Sequence, residues 1–148
     1  MYFHKPVMVN QVLECLDIRS SDIVVDCTLG EGGHSQHFLH KLNGGMLVGI
    51  EQDQHVLTRA VQRLGGTHKN FIPIRSNFSR LKEIIRKEIG QKVDRVFFDL
   101  GLSMYHIKHS GRGFSFSRDE PLDMRMDLSK NLTAAEVVNT YPPQELVK

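Results

Sequence analysis

Three carboxylates in this chain each close a short strand-like run: Asp26 after residues 23–25, Glu51 after 46–50 and Asp99 after 93–98. Between Asp26 and the next helical pattern stands the turn Cys27-Thr28-Leu29-Gly30-Glu31-Gly32-Gly33-His34. Glycine lets a backbone take positive φ and approach a small molecule where a Cβ would clash. A helix that starts in such a turn aims its first unbonded N–H groups at the same molecule. Glu51, at the end of the second run, can accept both hydroxyls of a ribose. An acid ahead of the turn suits an ammonium or sulfonium centre and would repel a pyrophosphate. The third glycine of G-x-G-x-x-G is also missing. The pattern therefore favours S-adenosylmethionine over NAD. Plainer assignments stand beside these: a tight strand–helix junction with no ligand, a solvated loop carboxylate at Glu51, and a turn or cap residue at Asp99.

The elements that must position these groups alternate. Val9, Val12, Leu13 and Leu16 form a helical stripe, and 23–27 reads as the first strand. Phe38, Leu39 and Leu42 line the helix after the glycine turn, which Asn43-Gly44-Gly45 stops. Residues 46–50 read as a second strand. Asp53 caps a helix with an apolar face of Val56, Leu57, Ala60, Val61 and Leu64, ended by Gly65-Gly66. Residues 71–74 form a third strand, which Pro73 demotes to a sheet edge. Leu81, Ile84, Ile85 and Ile89 give a further helix closed by Gly90, and 93–98 is the fourth strand. Strand–helix alternation argues for a parallel α/β sheet, and the proline at one edge for the order 3-2-1-4. Strands 1 and 4 then flank the switch point, where ligands bind beyond the strand C-termini. Residues 101–130 show no period and read as a long functional loop. Thr133-Ala134-Ala135-Glu136 is a capping box, Pro142-Pro143 ends its helix, and 144–148 reads as the first turn of another.

The chain has 148 residues, and nineteen Lys and Arg against seventeen Asp and Glu give a net charge of +2. That balance neither shows nor excludes nucleic-acid binding. Cys15 and Cys27 lack metal spacing and fit a reducing compartment. No apolar run spans a membrane, and neither a signal nor a transit pattern opens the chain, so the expected location is the cytoplasm. His34, His37 and His40 stand three apart along one helix, but they spread around it without carboxylate or cysteine partners, and no metal site is expected there.

The segments Arg112-Gly113-Phe114-Ser115-Phe116 and Pro121-Leu122-Asp123-Met124-Arg125-Met126-Asp127 resemble one family closely. That family is the bacterial 16S rRNA (cytosine-N4)-methyltransferases, the RsmH/MraW family. The stretches HKPVMVNQVL, DCTLGEGGHS, GIEQD, SNF, DLGLS and TAAEVVN follow in that family's order, from His4 onward. The resemblance implies a Rossmann-like class I methyltransferase sheet, here partial, with the start of a helical insertion. By position it implies a cofactor half-domain over 1–100, a substrate and cofactor loop region over 101–130, and the insertion from 131 to 148. S-adenosylmethionine is the implied cofactor, and 16S rRNA in the small ribosomal subunit the implied partner. Gly32, Gly33 and His34 fall on the cofactor loop, Glu51 on the ribose acid, Phe78 beside the adenine, and Asp99 in the cofactor and target pocket as the implied catalytic group. His106 falls where the family has a cofactor-contacting Gln, and Glu51 where it has an Asp.

For the RNA, Phe114 and Phe116 interleave with Arg112 and Arg118, offering stacking faces beside cations. The same phenylalanines could instead pack the loop region. Arg125 could anchor a phosphate or pair with Asp123 or Asp127. Family members continue into further strands beyond these elements. Residues Val96-Phe97-Phe98 are therefore expected at an apolar edge, to be met by a homodimer or a complementing second half. The alternative to an enzyme is an inactive remnant that at most binds nucleoside or RNA.

Overall fold

A computed structural model describes residues 5–65 and 69–147. His4, Gly66 and Lys148, used above, lie outside the described residues. The chain forms two compact units, Met1–Gly101 and Leu102–Lys148.

In the first unit the elements are α1 (Val9–Leu16), β1 (Ile23–Asp26), α2 (Gly33–Lys41), β2 (Met46–Glu51), α3 (Gln54–Leu64), β3 (Phe71–Arg75), α4 (Leu81–Ile84) and β4 (Arg95–Phe97). The strands form one parallel sheet in the order β3-β2-β1-β4, as the sequence predicts. Alternate residues along each strand feed opposite faces. Val24, Leu47 and Phe71 meet Phe38, Leu39, Ala60 and Leu64 on one side, where Val12, Leu13 and Leu16 of α1 also pack. Val25, Val48 and Ile50 meet Ile84 on the other, with Leu81 and Ile89 against them. Pro73 lies in the outer strand β3, in register with Gly49.

Several sequence expectations need correction. Val61 is exposed, so the buried face of α3 is narrower than its apolar pattern. The helix expected over 81–89 is not uniform: a 3₁₀ turn (Phe78–Arg80) precedes α4, which gives way to a π-helical turn (Ile85–Ile89). The Gly90 N–H donates to the Ile85 carbonyl, five residues back, from a left-handed φ of 69°. β4 is shorter than 93–98 because Asp94 closes its start with a side chain. Its Oδ2 accepts the Ile23 N–H at 2.8 Å.

The second unit adds one short helix to the loop region over 101–130, α5 (Met104–His109), and then contains α6 (Ala134–Thr140) and α7 (Pro143–Leu146). The missed helix α5 is only six residues long, too short to show a hydrophobic period. The Thr133–Glu136 capping box forms in full, and α7 starts on Pro143, where a missing N–H costs nothing. Between α5 and α6 the chain is pinned by backbone hydrogen bonds from Met124 to Arg112, Ala134 to Asp123 and Ala135 to Leu122. Gly113 sits at φ 80°, and a Cβ there would lie 2.5 Å from the Pro121 carbonyl oxygen. Only glycine fits that crossing. Among the described residues no helix is long and apolar enough to cross a membrane.

Candidate cofactor site

β1 delivers the chain into the glycine turn through Asp26, which is buried and faces inward. Its Oδ1 accepts the Thr28 N–H at 3.1 Å and its Oδ2 the Ser35 hydroxyl at 2.7 Å. Burial pushes the Asp26 carboxyl above its ordinary range, against the pull of the Ser35 and Thr28 hydrogen bonds. A carboxylate so engaged braces the turn. The sequence reading, which aimed it at a ligand's cationic centre, is corrected by this inward orientation. Burial also pushes the Cys27 thiol up to about 12, with Asp26 adding to the effect.

The turn itself is held from three sides. The Gly30 N–H, from φ 53°, donates to Glu51 Oε2 at 3.1 Å, and Glu51 Oε1 accepts the Asp53 N–H at 2.9 Å. Glu51 thus ties the end of β2 to the turn after β1. Each carboxylate oxygen carries two lone pairs and can accept more than one hydrogen bond. Glu31 is buried and ion-pairs with Arg59 of α3. Gly32 caps α2 at φ 78°, and a Cβ on it would lie 2.7 Å from Leu64 Cδ1. Gly33 follows under Pro6, whose ring would meet a Cβ at 3.3–3.4 Å.

His34 lies in the first turn of α2, buried against the rings of Phe38 and Phe97, which also meet each other edge to face. Its Nε2 is 2.8 Å from the Val7 carbonyl oxygen and its Nδ1 is 3.5 Å from Asp99 Oδ2. The Asp99 backbone N–H donates to Thr28 Oγ1 at 2.7 Å, and its carboxylate is about half exposed. Phe78 opens the 3₁₀ turn after β3, is exposed, and meets the edge of Phe98 at 5.6 Å. Asn77, which caps that turn, also donates to Gln52 Oε1 at 2.8 Å. Direct contacts thus join Gly30 to Glu51 and His34 to Asp99, all in the first unit. Sequence reasoning missed Thr28, Ser35, the Glu31–Arg59 pair and the Val7 carbonyl. Thr28 and Ser35 stood in the quoted turn motif. The Val7 contact had no local signal, because it closes a separation of 27 residues.

The remaining predicted residues lie in the second unit. His106 is buried at the third position of α5, where it completes a capping box: its Nδ1 is 3.3 Å from the Ser103 N and 3.0 Å from Oγ. That geometry sets the Nδ1 side of its ring to closing the helix start. Phe114 packs its ring against His106 at 5.2 Å, which is the packing alternative. Arg112 is corrected: it is buried, and Nη1 donates to the Arg125 and Met126 carbonyls at 2.6 and 3.2 Å. Its five-donor fork suits a crossing loop whose carbonyls need partners, and this removes it from the surface cations. Arg125 pairs with Asp123 through two hydrogen bonds at 2.9 and 2.7 Å, which hold the Asp123 carboxyl below its usual range. Phe116 is fully exposed, and Arg118 is half exposed with Glu120 3.6 Å away. His37 is half-buried; burial holds its imidazole below the ordinary range, and its ring meets that of His40.

A parallel 3-2-1-4 sheet, with a glycine turn after β1 and an acid closing β2, is a Rossmann-like α/β arrangement. Methyltransferase structures share that sheet. A candidate rRNA-methylase from Clostridium thermocellum superposes with a TM-score of 0.58 at 17% identity, over 70% of this chain and 55% of that one. An rRNA methylase from Streptococcus thermophilus gives 0.52 at 22%, over 68% and 58%. The chain belongs to the MraW methylase family, which it matches over residues 1–148. It is 45% identical over 145 residues to the ribosomal RNA small subunit methyltransferase H of Dictyoglomus thermophilum, covering 97% of this chain and 49% of that protein. It is 41% identical over 147 residues to the enzyme of the same name from Carboxydothermus hydrogenoformans, covering 99% and 47%. The chain therefore spans about half the length of the curated relatives it matches.

Proposed function

We propose that this chain forms the S-adenosylmethionine-binding part of a methyltransferase that modifies the N4 amine of a cytosine in 16S rRNA, working on the small ribosomal subunit in the cytoplasm. Family membership supports the reaction class, and the relatives' names support the RNA. The observation that carries the cofactor is the Gly30–Glu51 tie, which puts an acceptor-rich carboxylate beside a glycine turn and a helix N-terminus. The donor set fits the group. Glu51 would hold the ribose hydroxyls, the N–H groups opening α2 at Gly33 and His34 the carboxylate tail, and Phe78 would cover a face of the adenine. When bound, the cofactor supplies a methyl group on a sulfonium, ready for in-line displacement.

The rest falls to this chain's own side chains. A cytosine N4 lone pair is delocalised into the ring and is a poor nucleophile. Asp99 accepts a hydrogen bond from that amine, which localises the lone pair and draws off developing charge. The exposed face of Phe116, with Arg118 nearby in sequence, offers a stacking platform for an unpaired base. In this assignment residues 1–100 serve the cofactor, 101–130 the substrate and cofactor loop, and 131–148 begin the helical insertion. A second copy or a complementing segment would add at the β4 side.

Calorimetry with S-adenosylmethionine tests the cofactor assignment. Micromolar binding that Glu51→Ala abolishes is expected, and no heat with the unmodified protein refutes it. Asp99→Ala should lose methyl transfer to small subunits far more than it loses RNA binding; equal loss of both refutes its assigned role.

A further inference from the structure

His34 is not free to turn. Its ring is flanked by Phe38 at 6.3 Å and Phe97 at 5.0 Å between centroids, and its Nε2 is fixed on the Val7 carbonyl. A carbonyl oxygen only accepts, so Nε2 carries a hydrogen. The other ring nitrogen then faces Asp99 Oδ2 at 3.5 Å. A contact between Nδ1 and a carboxyl oxygen needs one further proton, carried by either partner. Asp99 itself follows β4 directly. Thr28 Oγ1 fixes its backbone, and its side chain stands half exposed. An aspartate in that position would otherwise sample several staggered rotamers.

We propose that His34 is a positioning residue: a ring locked by the N-terminal segment holds the Asp99 carboxylate in one rotamer at the mouth of the sheet. The proposal deepens the methyltransferase assignment and rests on it for its catalytic consequence. It gives Pro6 and Val7 a task in the site. Pro6 covers Gly33, and the Val7 carbonyl sets the ring that sets the acid. Effective catalysis depends on such orientation, and a displacement of about 1 Å can cost about a hundredfold in rate.

Two substitutions separate positioning from packing. Both His34→Asn and His34→Gln remove the ring that packs beside Phe38 and Phe97, so that loss is common to them. The Asn amide nitrogen occupies the region of Nδ1 and can still donate to Asp99; the Gln amide reaches the region of Nε2 and serves Val7. Three-bond couplings to the Asp99 Cγ report its rotamer by NMR without any catalysis. One rotamer is expected in the unmodified protein and in His34→Asn, and averaging in His34→Gln. In single-turnover transfer of labelled methyl groups from S-adenosylmethionine to small ribosomal subunits, His34→Gln should slow turnover about 10- to 100-fold. KM for the cofactor should stay within about threefold, and His34→Asn should recover most of the rate. In an Asp99→Asn background, His34→Gln should cost nothing more. A single Asp99 rotamer in His34→Gln, or equal behaviour of the two variants, overturns the proposal. Calorimetry on the unmodified protein decides separately: an absence of S-adenosylmethionine binding removes the methyltransferase assignment, while the rotamer measurement still decides the His34–Asp99 coupling.

Discussion

Replacing Gly32 by alanine separates two costs that the glycine turn conceals. The residue stands at φ 78°, where an L side chain loses about 1–2 kcal/mol. The added Cβ would also lie 2.7 Å from Leu64 Cδ1 and 3.1 Å from Cγ. Leu64 is fully buried at the end of α3 and packs in the main core cluster, so it cannot swing aside. Overpacking of this kind costs about 1–3 kcal/mol. Together Gly32→Ala should lower unfolding free energy by about 2–5 kcal/mol. Gly44 supplies the calibration. It has φ 97°, and nothing lies within 4 Å of a built Cβ, so Gly44→Ala carries the backbone cost alone. Urea denaturation of both variants, with m values compared, measures the difference. If Gly32→Ala costs no more than Gly44→Ala, the glycine turn is not wedged against α3 and the packing account of this junction is wrong.

Further outcomes follow from the charged and buried groups. The Asp26 carboxyl is raised in the folded state by burial, so the stability it contributes is full below the unfolded value, 3.8, and is lost as pH rises through the folded one. Asp26→Asn stays neutral, and its stability relative to the unmodified protein should therefore improve as pH rises above the unfolded value; a difference independent of pH in urea titrations would contradict this. Cys15 is exposed, whereas the Cys27 thiol is buried and pushed up to about 12, so a chromogenic disulfide reagent should titrate one thiol in the native protein and the second only after unfolding. Arg112→Ala strips partners from the Arg125 and Met126 carbonyls and should loosen the second unit by about 2–4 kcal/mol. Limited proteolysis should then cut faster within 113–132, and an unchanged rate would refute the assignment.

The sheet was legible because its strands carry strong signals: near-continuous apolar runs, a strand-terminal acid on β1 and on β2, and one proline that could only sit outside. Pro73 alone fixed the end of the order. The cap at Asp53 and the box at Thr133 were equally local, each a side chain bonding two or three residues ahead. What sequence could not supply was direction. Asp26 and Arg112 are charged residues beside presumed binding segments, yet Asp26 turns to Ser35 and Arg112 to two carbonyls, because a buried polar backbone must find partners before any ligand does. α5 escaped because its start depends on Ser103 and a histidine, an unusual member of a capping box. The His34–Val7 contact escaped because nothing in a linear chain marks a carbonyl.

Pro73 has one more effect. The outer margin of β3 offers no N–H at its midpoint, so an incoming strand cannot zip along that flank. β4 closes the opposite flank without such a block, with Val96 and Phe98 open to solvent. The two flanks are thus unequal: the proline interrupts one, and the other, beside the strand that leads into Asp99, carries no proline.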